Sequence, residues 1–191
     1  MAMRALTETP RPVMTGLTWQ EFLDLPDEYR HADLVNGELF VNPPVPQHQR
    51  VVTKLLAALE HWRAAAPGRG EVTIEPAVGI SHDRGYMPDI AWWRQDKCAP
   101  AGMPAAFDGP PDLVVEVLSP STRRLDTIRK RNDYPRIGVS ELWFIDPDEP
   151  SAHIVRAGRD GEQVIDIAVG DRLQSPLLDG FGVELGALAR R

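Results

Sequence analysis

The segment Asp112-Leu113-Val114-Val115-Glu116-Val117-Leu118 limits what this chain can fold into more than any other. Its apolar residues are consecutive rather than alternating, and three of them are valines. A strand exposed on one face would alternate polar and apolar residues, so this one is covered on both faces. That requires a sheet with layers packed on each side, the arrangement of an α/β-type protein. Glu116 stands inside this run, and a carboxylate buried without compensation costs several kcal/mol. A metal ion, an arginine or lysine, or uptake of a proton would each compensate it.

The elements around this strand follow from turn and periodicity signals. Thr18 followed by Glu21 forms a capping box, which predicts a short helix over residues 19–25, ended by Pro26-Asp27. Asn36-Gly37 separates two apolar runs within 32–41 and predicts a hairpin. Asn42-Pro43-Pro44-Val45-Pro46 reads as a rigid loop, because proline cannot donate to a sheet ladder. Residues 47–66 contain neither proline nor glycine, and Val51, Leu55, Ala58, Leu59 and Trp62 recur at the helical period, so this is the longest helix. Strand-like runs at 71–80, 86–93 and 112–118 follow, the last preceded by a loop rich in proline and glycine at 103–111. Residues 122–133 read as a helix, with Ser121 or Thr122 as cap and Pro135 just past its end. A strand at 141–146 ends at Pro147, and 153–156 with 163–168 flank Arg159-Asp160-Gly161 as a hairpin. The tail at 177–183 reads as a packed loop or edge strand. This order predicts one mixed sheet flanked by helices, an α/β chain of the α+β type with β-hairpins added at both ends. Residues 1–16 are expected to form a flexible leader and 17–191 a single domain.

Composition removes several classes of function. Cys98 is the only cysteine, which excludes a disulfide framework and a multi-cysteine zinc site; between Lys97 and Ala99 it reads as a loop residue. No apolar run reaches the roughly 18–20 residues that cross a bilayer. The first residues lack the continuous apolar stretch of a signal peptide. A cytoplasmic protein without a membrane partner is the expectation. The formal net charge of −7 is unfavourable for gripping phosphates. The dense basic cluster, Arg123-Arg124 through Arg129-Lys130-Arg131, either steers a phosphodiester backbone or forms a solvated helix face.

The chemistry centres on two carboxylates. Pro88 suits the first position of a strand, which places Asp89 at a strand start, with Ile90 and Trp92 on the opposite face. Asp89 and Glu116 then lie on successive strands and would converge on a hard cation; Mg²⁺ is commonly held by one or two carboxylates plus water and substrate phosphate. Asp126 and Lys130, at i and i+4, share a helix face. They form either a solvated ion pair or an arrangement in which Lys130 turns back toward the carboxylates. His48, at the start of the long helix, reads as a hydrogen-bond partner. Glu75 either reaches the same site or is exposed by strand alternation. Trp92-Trp93 reads as core and rim rather than as a base-stacking platform.

Pro88-Asp89 followed by Glu116-Val117-Leu118 on the next strand resembles the PD-(D/E)XK nuclease superfamily. More closely, the chain resembles the Uma-type family of bacterial restriction endonucleases. The resemblance rests on Leu34-Val35-Asn36-Gly37-Glu38-Leu39, Pro46-Gln47-His48-Gln49-Arg50-Val51-Val52, Pro88-Asp89, the run from Pro111 to Thr122, Asp126, Lys130, Tyr134 and the run from Gly138 to Pro147. It spans roughly residue 17 to the C-terminus. It implies a restriction-endonuclease-like core and a Mg²⁺ or Mn²⁺ ion ligated by Asp89, Glu116 and the Val117 carbonyl. It also implies that His48 touches phosphate or orients an acidic residue. Two departures stand out. Leu118 occupies the position of the superfamily lysine, and Lys130 on the next helix matches the place of a substitute. The family's early Tyr-Glu pair appears as Ala32-Asp33, which leaves an auxiliary role for Asp33 open.

Three functional readings follow. The first is a metal-dependent endonuclease hydrolysing DNA, with Asp89, Glu116 and Lys130 as catalytic residues and Asp126 tuning or positioning Lys130. The second is a catalytically weak or inactive module of the same fold that binds nucleic acid or protein, with a homodimer as one form; the net negative charge and Leu118 favour it. The third, a small-molecule hydrolase using the same carboxylates, lacks a nucleophile elbow, a phosphate-binding glycine loop or a zinc histidine pair.

Overall fold

The uninterrupted apolar strand lies inside a six-stranded sheet, and both of its faces are buried. The computed structural model describes residues 11–29, 31–41, 45–100, 103–119, 123–158 and 161–190, with the backbone alone for 123–126. In chain order the elements are β1 Met14–Thr15, α1 Trp19–Leu23, β2 Ala32–Val35, β3 Glu38–Val41, α2 Pro46–Ala64, β4 Glu71–Ile74, β5 Val78–Ser81, β6 Arg84–Tyr86 and β7 Ile90–Trp93. There follow β8 Leu113–Val117, α3 Arg123–Ile137, β9 Glu141–Asp146, β10 Ser151–Gly158, β11 Gly161–Ile167, β12 Arg172–Leu173, β13 Val183–Glu184 and α4 Leu185–Ala189. The larger sheet has the order β11-β10-β9-β8-β7-β4 and is mixed, since β8 and β9 run parallel while its other pairs are antiparallel.

The two faces of β8 have different neighbours. Leu113, Val115 and Val117 point into the main core with Val51, Leu55 and Leu59 of α2, Trp143 and Phe181. Val114 points the other way, into a second core with Tyr134 and Val139 from α3 and the following loop, Leu142 and Phe144, and Val35, Val78 and Tyr86. Period-two alternation thus sends successive residues into two hydrophobic layers, which is why the sequence itself shows no alternation. The expected core helices are present, so the restriction-endonuclease-like mixed architecture stands.

Among the described residues the single expected sheet is divided into three, the smallest a two-stranded ribbon of β12 and β13. A second, five-stranded sheet has the order β1-β3-β2-β6-β5. The runs predicted at 71–80 and 86–93 each break once and contribute one half to each of the two larger sheets. Glu75 takes a left-handed φ of 46° ahead of Pro76, and Pro88 interrupts the returning run. At this level the Glu75 N–H bonds the Asp89 carbonyl at 3.2 Å, so both strands change sheets together. The predicted hairpin is β2–β3, with Asn36 at φ 52° and Gly37 at φ 75°, the two left-handed positions that a tight two-residue turn needs.

Other boundaries moved for local reasons. The Thr18 capping box forms as read, but α1 stops at Leu23, two residues early. α2 begins at Pro46, a residue preorganised for a first helical turn; residues 42–44 of the predicted loop lie outside the described residues. α3 runs past the expected stop at Pro135. It ends instead where Gly138 takes φ 103°, with the Gly138 N–H on the Pro135 carbonyl (3.1 Å) and the Val139 N–H on the Tyr134 carbonyl (3.2 Å). That pair of bonds is a Schellman ending, which only glycine makes at low strain. Its predicted caps, Ser121 and Thr122, lie outside the described residues. In the tail, Leu178 and Phe181 pack into the main core, and α4, which sequence reasoning missed, docks on α2. The described part of the expected leader includes β1, paired with β3. No described helix is long and apolar enough to cross a membrane.

Trp19 lies flat across two glycines, Gly79 and Gly85, of β5 and β6. A Cβ added at Gly85 would fall 2.1 Å from Trp19 Cζ3. The substitution Gly85→Ala is therefore expected to push the indole off the sheet and cost about 1–3 kcal/mol of stability. Thermal unfolding followed by circular dichroism would show a Tm lower by roughly 2–4 °C for each kcal/mol lost; an unchanged Tm would rule out this packing.

Candidate functional site

Asp89 immediately precedes β7, and Ile90 pairs with Val115 of the antiparallel neighbour β8. Continuing that register by one residue sets Asp89 beside Glu116. The contacts agree: the Val117 N–H donates to Asp89 Oδ2 at 2.6 Å. The other oxygen, Oδ1, lies 3.1 Å from His48 Nε2 in the first turns of α2.

Glu116 shares the face of Val114 and so points toward α3. There Lys130 Nζ donates to Oε2 at 2.9 Å and the Tyr134 hydroxyl donates to Oε1 at 2.7 Å. Lys130 and Tyr134 are one helical turn apart, which is the spacing that lets both reach a single carboxylate. Lys130 also lies 3.0 Å from Asp33 Oδ2 on β2 and 5.3 Å from the centre of the Tyr86 ring. Asp33 Oδ1 accepts the Met87 N–H at 3.3 Å. The Tyr86 hydroxyl donates in turn to Asp133 Oδ2 at 2.5 Å, and Arg84 donates to the same carboxylate at 3.0 and 3.2 Å and to Asn36. The ammonium of Lys130 is thus held between two carboxylates and an aromatic face, with almost no exposure to solvent.

The electrostatics of this cluster are unbalanced. Asp33, Asp89 and Glu116 are gathered around one lysine and one histidine. Burial pushes the Glu116 carboxyl up to about 8; Lys130 and the Tyr134 hydroxyl oppose the rise, while the charges of Asp89 and Asp33 add to it. Burial works against the imidazolium of His48. The hydrogen bond and charge of Asp89, aided by Glu116 and the Val117 main chain, more than offset this and raise its pKa above the usual 6.5. Tyr134 and Tyr86 are held in the neutral form, chiefly by burial, and so act as donors to their carboxylates.

The structure therefore brings together Asp89, Glu116, Lys130, His48, Asp33 and the Val117 backbone. Glu75 does not join them. Past the end of β4, where it takes a left-handed φ, its carboxylate Oε1 lies 2.9 Å from His31 Nδ1. The side chain of Asp126 lies outside the described residues, as do those of Arg123 and Arg124. Trp92 and Trp93 are buried, with their indole N–H groups on the carbonyls of Arg69 and Gly109, so they are core and offer no stacking platform. Cys98 has its thiol raised mainly by burial and its sulfur 3.2 Å from the Arg94 carbonyl, in keeping with a loop residue. Sequence reasoning missed Tyr86, Asp133 and Arg84, and gave Tyr134 no role. The available signal was the i, i+4 spacing of Lys130 and Tyr134.

Among the described residues no group of three or more His, Cys, Asp and Glu forms a ready-made metal cage. The donor set nevertheless suits a hard divalent cation. The Asp89 and Glu116 carboxylates, on neighbouring strands, are the hard oxygen donors that Mg²⁺ or Mn²⁺ uses alongside water. The raised proton affinity of Glu116 marks a cluster short of positive charge, which a cation at Asp89 and Glu116 would supply.

Comparison with known proteins agrees with the architecture. The chain is similar to a crystal structure from Anabaena variabilis ATCC 29413, described as a putative nuclease belonging to DUF820. The TM-score is 0.76 at 20% identity, covering 91% of this chain and 98% of that one. No curated protein matches the sequence. The chain thus shares that structure's mixed α/β fold. The profile of Uma2, described as "Putative restriction endonuclease", matches residues 19–187, and the chain belongs to that family.

The shifts of Glu116 and His48 both mean that the native state holds protons that the unfolded chain releases. For Glu116 the window runs from 4.5 to about 8, and for His48 from 6.5 up to its raised value. Stability contributed by these groups is present on the acid side and is lost as pH rises through the window. Urea midpoints measured without divalent metal should therefore fall between about pH 5 and pH 8.5. Glu116→Gln should flatten most of that slope. A midpoint that rises with pH over this range would contradict the charge assignment.

Proposed function

We propose that this protein is a metal-dependent endonuclease that hydrolyses phosphodiester bonds of DNA at the cluster around Glu116. The observation that carries this reading is the position of Lys130 Nζ, 2.9 Å from Glu116 Oε2, although Leu118 stands where the superfamily motif has its lysine. The ammonium is supplied from α3 to the point that β8 does not serve.

Asp89, Glu116 and the Val117 carbonyl would hold Mg²⁺ or Mn²⁺. When bound, such an ion polarises the scissile phosphate and lowers the pKa of a coordinated water. Lys130, buried between Asp33, Glu116 and the Tyr86 ring, contributes a fixed positive charge that favours the ionised form of Glu116 and orients it. Tyr134 keeps one oxygen of Glu116 directed by donating to it, and the hydrogen bond from the Val117 N–H does the same for Asp89. His48, held toward its protonated form by Asp89, lies at the edge of the site with a cationic surface suited to a substrate phosphate.

Purified protein incubated with supercoiled plasmid and Mg²⁺ or Mn²⁺ should nick it. Asp89→Asn, Glu116→Gln and Lys130→Met should each lower the rate by about 10²-fold or more while far-UV circular dichroism stays unchanged. Failure of the wild type to cut any DNA or RNA with either ion would overturn the proposal. It would leave the second reading, a binding module that retains the fold, which the net charge of −7 favours. Calorimetric titration with Mn²⁺ separates the two, since a module without catalytic function has no need to bind the ion at this pair.

A further inference from the structure

One side chain meets all three groups assigned above to a divalent cation. His48 Nε2 lies 3.1 Å from Asp89 Oδ1. The same imidazole interacts with the Val117 main chain and with the charge of Glu116. Oδ1 is the freer oxygen of Asp89, because Oδ2 already accepts the Val117 N–H at 2.6 Å. The imidazole therefore stands on the oxygen that a cation would take. A donor nitrogen and a divalent ion that share one carboxylate oxygen repel each other, most strongly when the ring carries its proton.

We propose that His48 and the divalent cation are alternative partners of Asp89 Oδ1, so that the cation displaces the imidazole from the carboxylate cluster and frees it for a substrate phosphate. This rests on the metal-dependent reading above and adds an order to it, with the ion loaded first and the phosphate contact of His48 made afterwards. Two observations favour displacement over ligation by the same nitrogen. A histidine that ligates a metal almost always donates its other ring N–H to an acceptor that fixes the ring and its tautomer. Nδ1 of His48 is buried and has no hydrogen-bond partner among the described residues. The ring thus has no second hydrogen bond to retain it once Oδ1 is taken. Its side chain also keeps 17% of its surface exposed, in the first turns of α2, so a change of rotamer carries it outward while the helix stays intact.

The test is calorimetric titration of the full chain with Mn²⁺ in the absence of DNA. His48→Leu removes the competing donor and should bind Mn²⁺ about tenfold tighter than wild type, the equivalent of one charge-assisted hydrogen bond. His48→Gln keeps an N–H donor without the charge and should fall between the two. Thermal melts establish that both variants fold. Electron spin echoes of Mn²⁺ bound to wild type should show no coupling to an imidazole ¹⁴N. Weaker or equal binding of Mn²⁺ by folded His48→Leu, or imidazole ¹⁴N coupling in wild type, would overturn the displacement alone. Absence of Mn²⁺ binding in both wild type and His48→Leu, or binding that survives Asp89→Asn, would overturn the metal-dependent reading as well.

Discussion

Lys130 carries its charge in a space closed to solvent, and it and its partners come from three separate parts of the fold. Asp33 belongs to β2 of the smaller sheet, Glu116 to β8 of the larger one, and Lys130 itself to the helix between them. A buried ammonium without these acids would face a desolvation penalty of several kcal/mol, and the acids without the ammonium would face a similar one. The contact therefore fixes how α3 lies against both sheets. The Tyr86 ring beside Lys130 and the Arg84–Asp133 pair behind it extend the same constraint through the smaller sheet.

The proposed chemistry depends on the same constraint. A group held between two carboxylates and an aromatic face has little freedom to reorient, which is the preorganisation that electrostatic catalysis needs. The cluster remains short of positive charge even so, because one lysine and one histidine face three acids. That shortage appears as a raised proton affinity at Glu116, and a proton and a divalent cation are alternative ways to relieve it.

Much of the fold was legible in the chain because its signals are local. The Asn36-Gly37 hairpin, the Thr18 capping box, the proline-free helix and the apolar strand each depend on residues within a few positions of one another. The errors arose where a distant contact decided or where two local signals competed. Nothing near residues 71–80 announces that the strand changes sheets at Glu75, since the change is completed by a bond to Asp89. The α3 terminus was misplaced because Pro135 is a weaker stop than the Schellman ending at Gly138. The site followed the same rule. Glu116 was revealed by its neighbours in sequence, whereas the two readings of Glu75, at the site or exposed by strand alternation, depended on a left-handed turn that carries it to His31.

By itself the sequence determined that a charged group had to be compensated inside a doubly covered strand, because burying a carboxylate among valines is costly in any fold. It also determined the i, i+4 spacing that puts Lys130 and Tyr134 on one helix face. Which of the possible compensations applies was decided only by tertiary structure. The crossing of α3 over β8 brings Lys130 to Glu116. Asp33 and His48 complete the cluster for the same reason: a hydrogen bond at 3 Å depends on where the two sheets and α2 come to rest, and no local pattern encodes that.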